Sequence, residues 1–241
     1  MSRHRRRRRR IAQGIRLEAL LFSVQSLVVA PEQQTPRFVY VLAHGAGAGM
    51  THAFLASFAT LLQERGVASF RYNFPYMESG SKRPDAPAVA HAAVRAACAE
   101  AAARFPGVPL FAGGKSFGGR MTSQAQAAAA IPHVQGVAFV GFPLHPPDKP
   151  GVERAEHLAN VAVPMLFLAG TRDEFAQLPL LEPVVARLGA RATLRLWEDA
   201  DHSFHVPAKS KTGKKDAQVR AELADALVAW ADGVLGEGVS K

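Results

Sequence analysis

The chain has a single cysteine, Cys98, among its 241 residues. No intrachain disulfide can form, so the fold must rest on its own core; a reducing cytoplasm is compatible with this and is the expected location. Also missing is an uninterrupted apolar run long enough to cross a membrane. Basic residues precede residues 11–30 in the order of a secretory or twin-arginine signal, but Gln13, Arg16, Glu18, Gln25 and Ser26 break that stretch up. Neither a signal peptide nor a membrane span is expected. Metal-ligand spacing is lacking as well: His44, His52, His91, His133 and His157 are scattered, and no metal or other cofactor is expected. There is no internal repeat.

Acidic residues are absent from residues 1–16, which hold eight arginines. Nearly all of the formal net charge of +9 therefore sits in Arg3, Arg5 to Arg10 and Arg16, and the body of the chain is close to neutral apart from a small cluster at Lys209, Lys211, Lys214 and Lys215. A charge run of this kind reads as a solvated, disordered tail. Non-specific contact with a polyanion is the most it offers, and no specific nucleic-acid partner is expected. Residues 17–241 are long enough, in a chain that is 48% hydrophobic, to bury one large core, so a single domain is expected.

What is present is a regular alternation. Residues 38–43, 67–72, 108–112, 134–141, 163–169 and 192–197 read as strands, and residues 20–30 hold one or two more. The first of these blocks, FVYVLA, is apolar without alternation, the pattern of a strand buried on both faces. Helical periodicity runs through Phe54, Phe58, Leu61 and Leu62 to Gly66, through an Ala-rich stretch ending near Phe105, and through 120–130, 178–188 and 216–235. Strand and helix in turn predict an α/β fold, a doubly wound, mostly parallel sheet flanked by helices, with functional groups at the carboxyl ends of the strands. The connection 143–162 is too short for a large cap domain, which predicts an open pocket.

One turn organises the rest. Gly113-Gly114-Lys115-Ser116-Phe117-Gly118-Gly119 lies between a strand and a helix. A serine at such a turn takes a strained backbone, and glycines two positions before and after it remove side chains that would collide. Ser116 would project its hydroxyl above the sheet edge, beside helix N–H groups able to stabilise an oxyanion. A base and an orienting acid follow at later strand ends. Asp173 comes after strand 163–169, with Glu174 as its nearest rival; His202 comes after strand 192–197, with His205 as the alternative base. Asp199 and Asp201 share the histidine's own tight turn, where a carboxylate seldom reaches the outward-facing nitrogen. The order Ser, Asp, His is that of α/β-hydrolases.

The glycine-rich loop His44-Gly45-Ala46-Gly47-Ala48-Gly49 follows a buried strand. Small residues there let backbone N–H groups face the site, so the expected oxyanion donors are Phe117 and one of Ala46 or Gly47. A phosphate cradle is the weaker alternative, because the loop lacks the Lys-Ser/Thr ending of a P-loop.

With these motifs in view, the chain resembles the α/β-hydrolase superfamily over roughly residues 20–235. LAHGAGAGM, RYNFPYMESG, GGKSFGGRM, PLHPPDKP, AGTRDEF and ADHSFHVP together resemble small bacterial predicted hydrolases related to dienelactone hydrolases, with eukaryotic relatives among testis-expressed proteins and a subunit of a histone-acetyltransferase complex. The resemblance implies Ser116, Asp173 and His202 as a catalytic triad. Dienelactone hydrolases proper use a cysteine where this chain has Ser116, so the likeness does not extend to their nucleophile. A small-molecule ester or thioester is the expected substrate. Phe74, Tyr76, Met77 and His145 are candidates to line its pocket, or else to pack the loops around it. A non-catalytic scaffold on the same fold is the alternative reading.

Overall fold

A computed structural model describes residues 24–238. The Arg-rich tail, the signal-like segment up to residue 23 and its share of the early strands lie outside the described residues.

Seven strands form one sheet: β1 Ser26–Val29, β2 Val39–Ala43, β3 Ala68–Tyr72, β4 Leu110–Lys115, β5 Val134–Val140, β6 Met165–Gly170 and β7 Ala192–Trp197. Their order across the sheet is β1-β3-β2-β4-β5-β6-β7. All neighbours are parallel except β1, which pairs antiparallel with β3 from Ser26 opposite Tyr72 to Val29 opposite Ser69. Helix α1 Ala53–Glu64 joins β2 to β3. The short helix α2 Pro75–Glu78 and then α3 Pro87–Arg104 carry the chain back to β4, and both begin with proline, whose fixed φ and missing N–H suit the first helical position. Helices α4 Phe117–Ala128, α5 Leu178–Leu188 and α6 Asp216–Gly238 follow β4, β6 and β7.

Residues alternate across the pleat, and both faces of β2 are apolar. Phe38, Tyr40 and Leu42 meet Leu55, Phe58 and Leu62 of α1 and Val219, Leu223 and Leu227 of α6. Val39, Val41 and Ala43 face the other way, among Val94 and Ala97 of α3, Met121 of α4 and Leu181 of α5. The sheet is thus covered on both sides, as the unbroken apolar strand pattern requires. Among the described residues, no helix is long and apolar enough to cross a membrane.

The winding reverses next to β2. The chain steps from β2 outward to β3, then crosses back to β4 on the other side of β2. Loops leaving the carboxyl ends of β2 and β4 therefore diverge to opposite faces and open a crevice between them. Ala43 pairs in register with Gly114, so His44 and Ser116 emerge side by side at that crevice. The connection after β5 holds a 3-10 helix, Glu153–Asn160, in place of a cap.

Candidate active site

β4 runs on through Gly114 and Lys115, and the helix α4 starts at Phe117, leaving Ser116 alone to reverse the chain. Its backbone has a positive φ, 49°, with ψ −114°, a costly conformation that the packed strand and helix on either side impose. The space around the turn excludes side chains. A Cβ on Gly114 would lie 2.3 Å from the Ala43 carbonyl oxygen, and one on Gly118 would lie 2.6 Å from that of His44.

Ser116 Oγ lies 2.9 Å from His202 Nε2. His202 Nδ1 is 2.8 Å from Asp173 Oδ2 and 2.9 Å from Oδ1. The Asp173 side chain is fully buried, and its Oδ1 also accepts a 2.8 Å hydrogen bond from the Phe175 N–H. The Phe175 ring packs on the imidazole at 4.5 Å between centroids. An imidazole held by a carboxylate at Nδ1 presents a lone pair at Nε2 towards the hydroxyl, the tautomer that a general base requires.

The alternatives weighed from the sequence are engaged elsewhere. His205 is exposed and faces Asp216 at 2.9 Å. Glu174 is exposed. Asp201 Oδ1 caps its own turn, accepting from the N–H groups of Ser203 and His205, and Asp199 accepts from the Ser210 hydroxyl.

A second serine and histidine also touch: Ser123 Oγ is 2.8 Å from His157 Nε2. Ser123 lies within α4, its hydroxyl also bonded to the Arg120 carbonyl, and among the described residues His157 has no carboxylate partner. Burial, with help from Arg120, pushes the His157 pKa down to about 4. The pair ties α4 to the 3-10 helix.

A family model described as an alpha/beta hydrolase domain matches residues 36–232. The chain belongs to the α/β-hydrolase family. Its fold is similar to that of a serine hydrolase homologue from Coxiella burnetii, 18% identical with a TM-score of 0.66 over 86% of this chain and 90% of that one. A serine hydrolase without a lid from Xanthomonas campestris is 21% identical, TM-score 0.66, over 86% and 89%. A dienelactone hydrolase from Anabaena variabilis is 20% identical, TM-score 0.65, over 85% and 90%.

In this α/β-hydrolase the loop after β2 is braced by His44. Its Nδ1–H donates to the Gly45 carbonyl at 2.9 Å, and its Nε2 accepts from the Phe74 N–H at 3.0 Å. Burial lowers the His44 pKa, which keeps the ring neutral and able to play both parts. A cavity of about 580 Å³ lies over Ser116, with Gly45, Ala46, Ala48 and Phe117 in its wall. Gly47 is not in that wall. Burial raises the pKa of the Tyr76 phenol. Of the two loop residues expected to supply a donor, Ala46 is the one in the cavity wall.

None of Phe74, Tyr76, Met77 and His145 lines the cavity, which corrects the pocket expected from the sequence. The aromatic residues turn inward. Phe74 packs on His44 at 4.9 Å and on Phe117 at 5.2 Å, beneath the loop that they support. Met77 packs against the same core. His145 is buried, with Nδ1 2.8 Å from the Pro146 carbonyl and Nε2 2.6 Å from the Gln177 side-chain amide at the start of α5. The actual walls are Phe54 and Leu55 of α1, Met121 of α4, Pro143 and Pro147, and Phe175. A sequence signal existed for Met121, which the helical spacing places over the turn, and for Phe175, which is two residues from Asp173. Residues from α1 reach the cavity only through the packing of α1 over the crevice.

Proposed function

We propose that this α/β-hydrolase cleaves a carboxylic ester or thioester through an acyl-enzyme. The observation that carries the reading is the unbroken contact from Ser116 Oγ to His202 Nε2 and from His202 Nδ1 to Asp173. On this reading the Ser116 oxygen attacks the substrate carbonyl carbon while its proton passes to His202 Nε2. The carbonyl becomes a tetrahedral oxyanion beside the N–H groups of Phe117 and Ala46, at the start of α4, where the helix dipole also favours negative charge. Collapse breaks the bond to the alcohol or thiol, which leaves with the proton from His202. Water then enters, gives a proton to the imidazole and adds to the acyl carbon; the second collapse returns the proton to Ser116 and releases the acid. Asp173 holds the imidazole in place and stabilises its charged form throughout.

The intact contacts count against a non-catalytic scaffold, whose site would have no need of the strained Ser116. The test is covalent labelling of the purified protein by a fluorophosphonate probe. Wild type is expected to label and to hydrolyse p-nitrophenyl esters, and Ser116→Ala to do neither. Failure to label beside a reactive control enzyme, or unchanged esterase activity in Ser116→Ala, would remove the proposal.

A further inference from the structure

The cavity over Ser116 contains two guanidiniums that the chemistry above does not use. Arg120 lies one helical turn after Ser116 on α4, and Arg154 lies at the start of the 3-10 helix Glu153–Asn160; both are in the wall with Phe117 and Met121. Among the described residues neither takes part in a salt bridge. The Arg120 Nε is buried without a hydrogen-bond partner in the protein, while its guanidinium carbon sits 5.8 Å from the centre of the Phe117 ring. Burial lowers both guanidinium pKa values, that of Arg120 to about 10 with Arg154 adding to the effect. Both guanidiniums remain charged at neutral pH and share one cavity wall.

Their surroundings supply little compensation. His157 beside them is neutral, as described above, and burial lowers the pKa of His91, the next histidine along. Asp85 is the carboxylate in the cavity wall, and its Oδ2 accepts the Tyr76 N–H at 3.0 Å. Two like charges partly removed from water, neither in a salt bridge among the described residues, are an unfavourable arrangement that an anion would reverse. A guanidinium presents its N–H groups as a planar fork, a geometry that matches carboxylate or phosphate oxygens two at a time.

We propose that Arg120 and Arg154 form a subsite for an oxyacid group on the substrate, a carboxylate or a phosphate, so that the favoured ester or thioester carries a free acid at the end remote from the scissile carbonyl. This rests on the hydrolase reading of Ser116 and gives it a substrate class. Apolar side chains at Phe54, Leu55 and Phe175 would flank the hydrocarbon between the two ends.

The test compares kcat/KM for three p-nitrophenyl esters that differ at the far end of the acyl chain: butyrate, the half-ester of glutarate, which is butyrate with a terminal carboxylate, and butyrate with a terminal phosphate. At least one anionic ester should be preferred over butyrate, and which one identifies the group. Arg120→Gln and Arg154→Gln should each lower that preference by about ten- to a hundredfold, the worth of a charged hydrogen bond, mainly through KM. Equal rates for all three esters in wild type, or an unchanged preference in both variants, would overturn the subsite. If Arg120→Gln melts below the assay temperature, Arg154→Gln decides.

Binding gives a readout free of turnover. Glutarate or inorganic phosphate should raise the melting temperature of Ser116→Ala, and should not raise that of Ser116→Ala combined with Arg154→Gln. Fluorophosphonate labelling separates the two proposals. Labelling without anion binding leaves the hydrolase and removes the subsite; anion binding without labelling does the reverse.

Discussion

The ammonium of Lys115 donates a 2.6 Å hydrogen bond to the backbone carbonyl of His202. The residue before the candidate nucleophile thereby holds the turn that carries the candidate base. That turn follows β7, three positions from β4 across the sheet, so the imidazole must be delivered over the ends of β5 and β6. Nζ also lies 5.8 Å from the centre of the Phe204 ring on the same turn. Lys115 is on this account a positioning residue.

Replacing it by methionine keeps the length of the side chain and removes the tie. Lys115→Met is expected to lower kcat by about 10²-fold, the scale of a displacement of about 1 Å at a reacting group, with a much smaller change in KM because the side chain keeps its length and the other residues of the cavity wall are untouched. Steady-state kinetics on one ester checks the split. Equal loss in kcat and KM, or no loss, would show that the turn keeps its place without the lysine.

The same lysine has a signature in stability. Burial lowers its pKa from 10.5 to about 8, with Asp173, Asp201 and Glu174 opposing the shift. In the unfolded chain it holds its proton up to the ordinary value, so between about pH 8 and 10.5 the unfolded state binds more protons and the contribution of Lys115 to stability rises with pH. Wild type should therefore gain on Lys115→Met by on the order of 1–3 kcal/mol between pH 7.5 and pH 10. Urea denaturation of both proteins at the two pH values measures it. A difference that stays constant would mean that the ammonium is solvated.

The sequence made legible what is local. Apolar blocks without alternation marked the buried strands, and residues 178–188 and 192–197 coincide with α5 and β7. The end of β4 was harder, because Gly113 and Gly114 have low strand propensity and read as a turn; they belong to the strand because neighbouring backbone leaves no room for a side chain at Gly114. Ser116, His202 and Asp173 could be found because each lies next to a strand end, a position that periodicity reports. The cavity walls could not. Which way Phe74 and Tyr76 face depends on the hydrogen bond of the Phe74 N–H to His44 and of the Tyr76 N–H to Asp85, long-range contacts with no local pattern. Arg120 and Arg154 meet only through the packing of α4 on the 3-10 helix.

Choosing between the two nearby histidines makes a clean test. His205 is exposed and paired with Asp216, so His205→Ala should leave kcat/KM within about twofold of wild type, as for a surface change. Asp173→Asn keeps the shape of the carboxylate but removes its charge, and by analogy with other Ser-His-Asp enzymes it should lower kcat by about 10³–10⁴-fold. Should the two effects come out in the opposite order, the base would be His205.

His44 acts at one remove from the reaction. Its Nε2 accepts from Phe74 and its Nδ1 donates to Gly45, so it sets the path of the chain leading to the Ala46 amide. His44→Phe fills the same space and can make neither bond. Loss of one oxyanion donor is worth about 10²–10³ in kcat, and His44→Phe is expected to approach the lower figure while fluorophosphonate labelling slows in proportion. Unchanged labelling with lowered esterase activity would place the effect of His44 somewhere other than the oxyanion site.

Gly118 tests the turn itself. A methyl group there would enter the space 2.6 Å from the His44 carbonyl oxygen and 2.7 Å from the Ala43 carbonyl carbon, so α4 and the loop after β2 must move apart. Both contacts are backbone atoms of a sheet strand and its exit, which cannot swing away as a side chain can. Gly118 is helical, so alanine would by propensity alone stabilise the protein by up to about 1 kcal/mol; overpacking by one methyl typically costs about 1–3 kcal/mol and should win. Gly118→Ala is expected to melt several degrees below wild type and to lose activity even well below its melting temperature, because the displaced elements carry the Phe117 and Ala46 amides. A variant as stable as wild type would show that the helix and the loop are not in close contact.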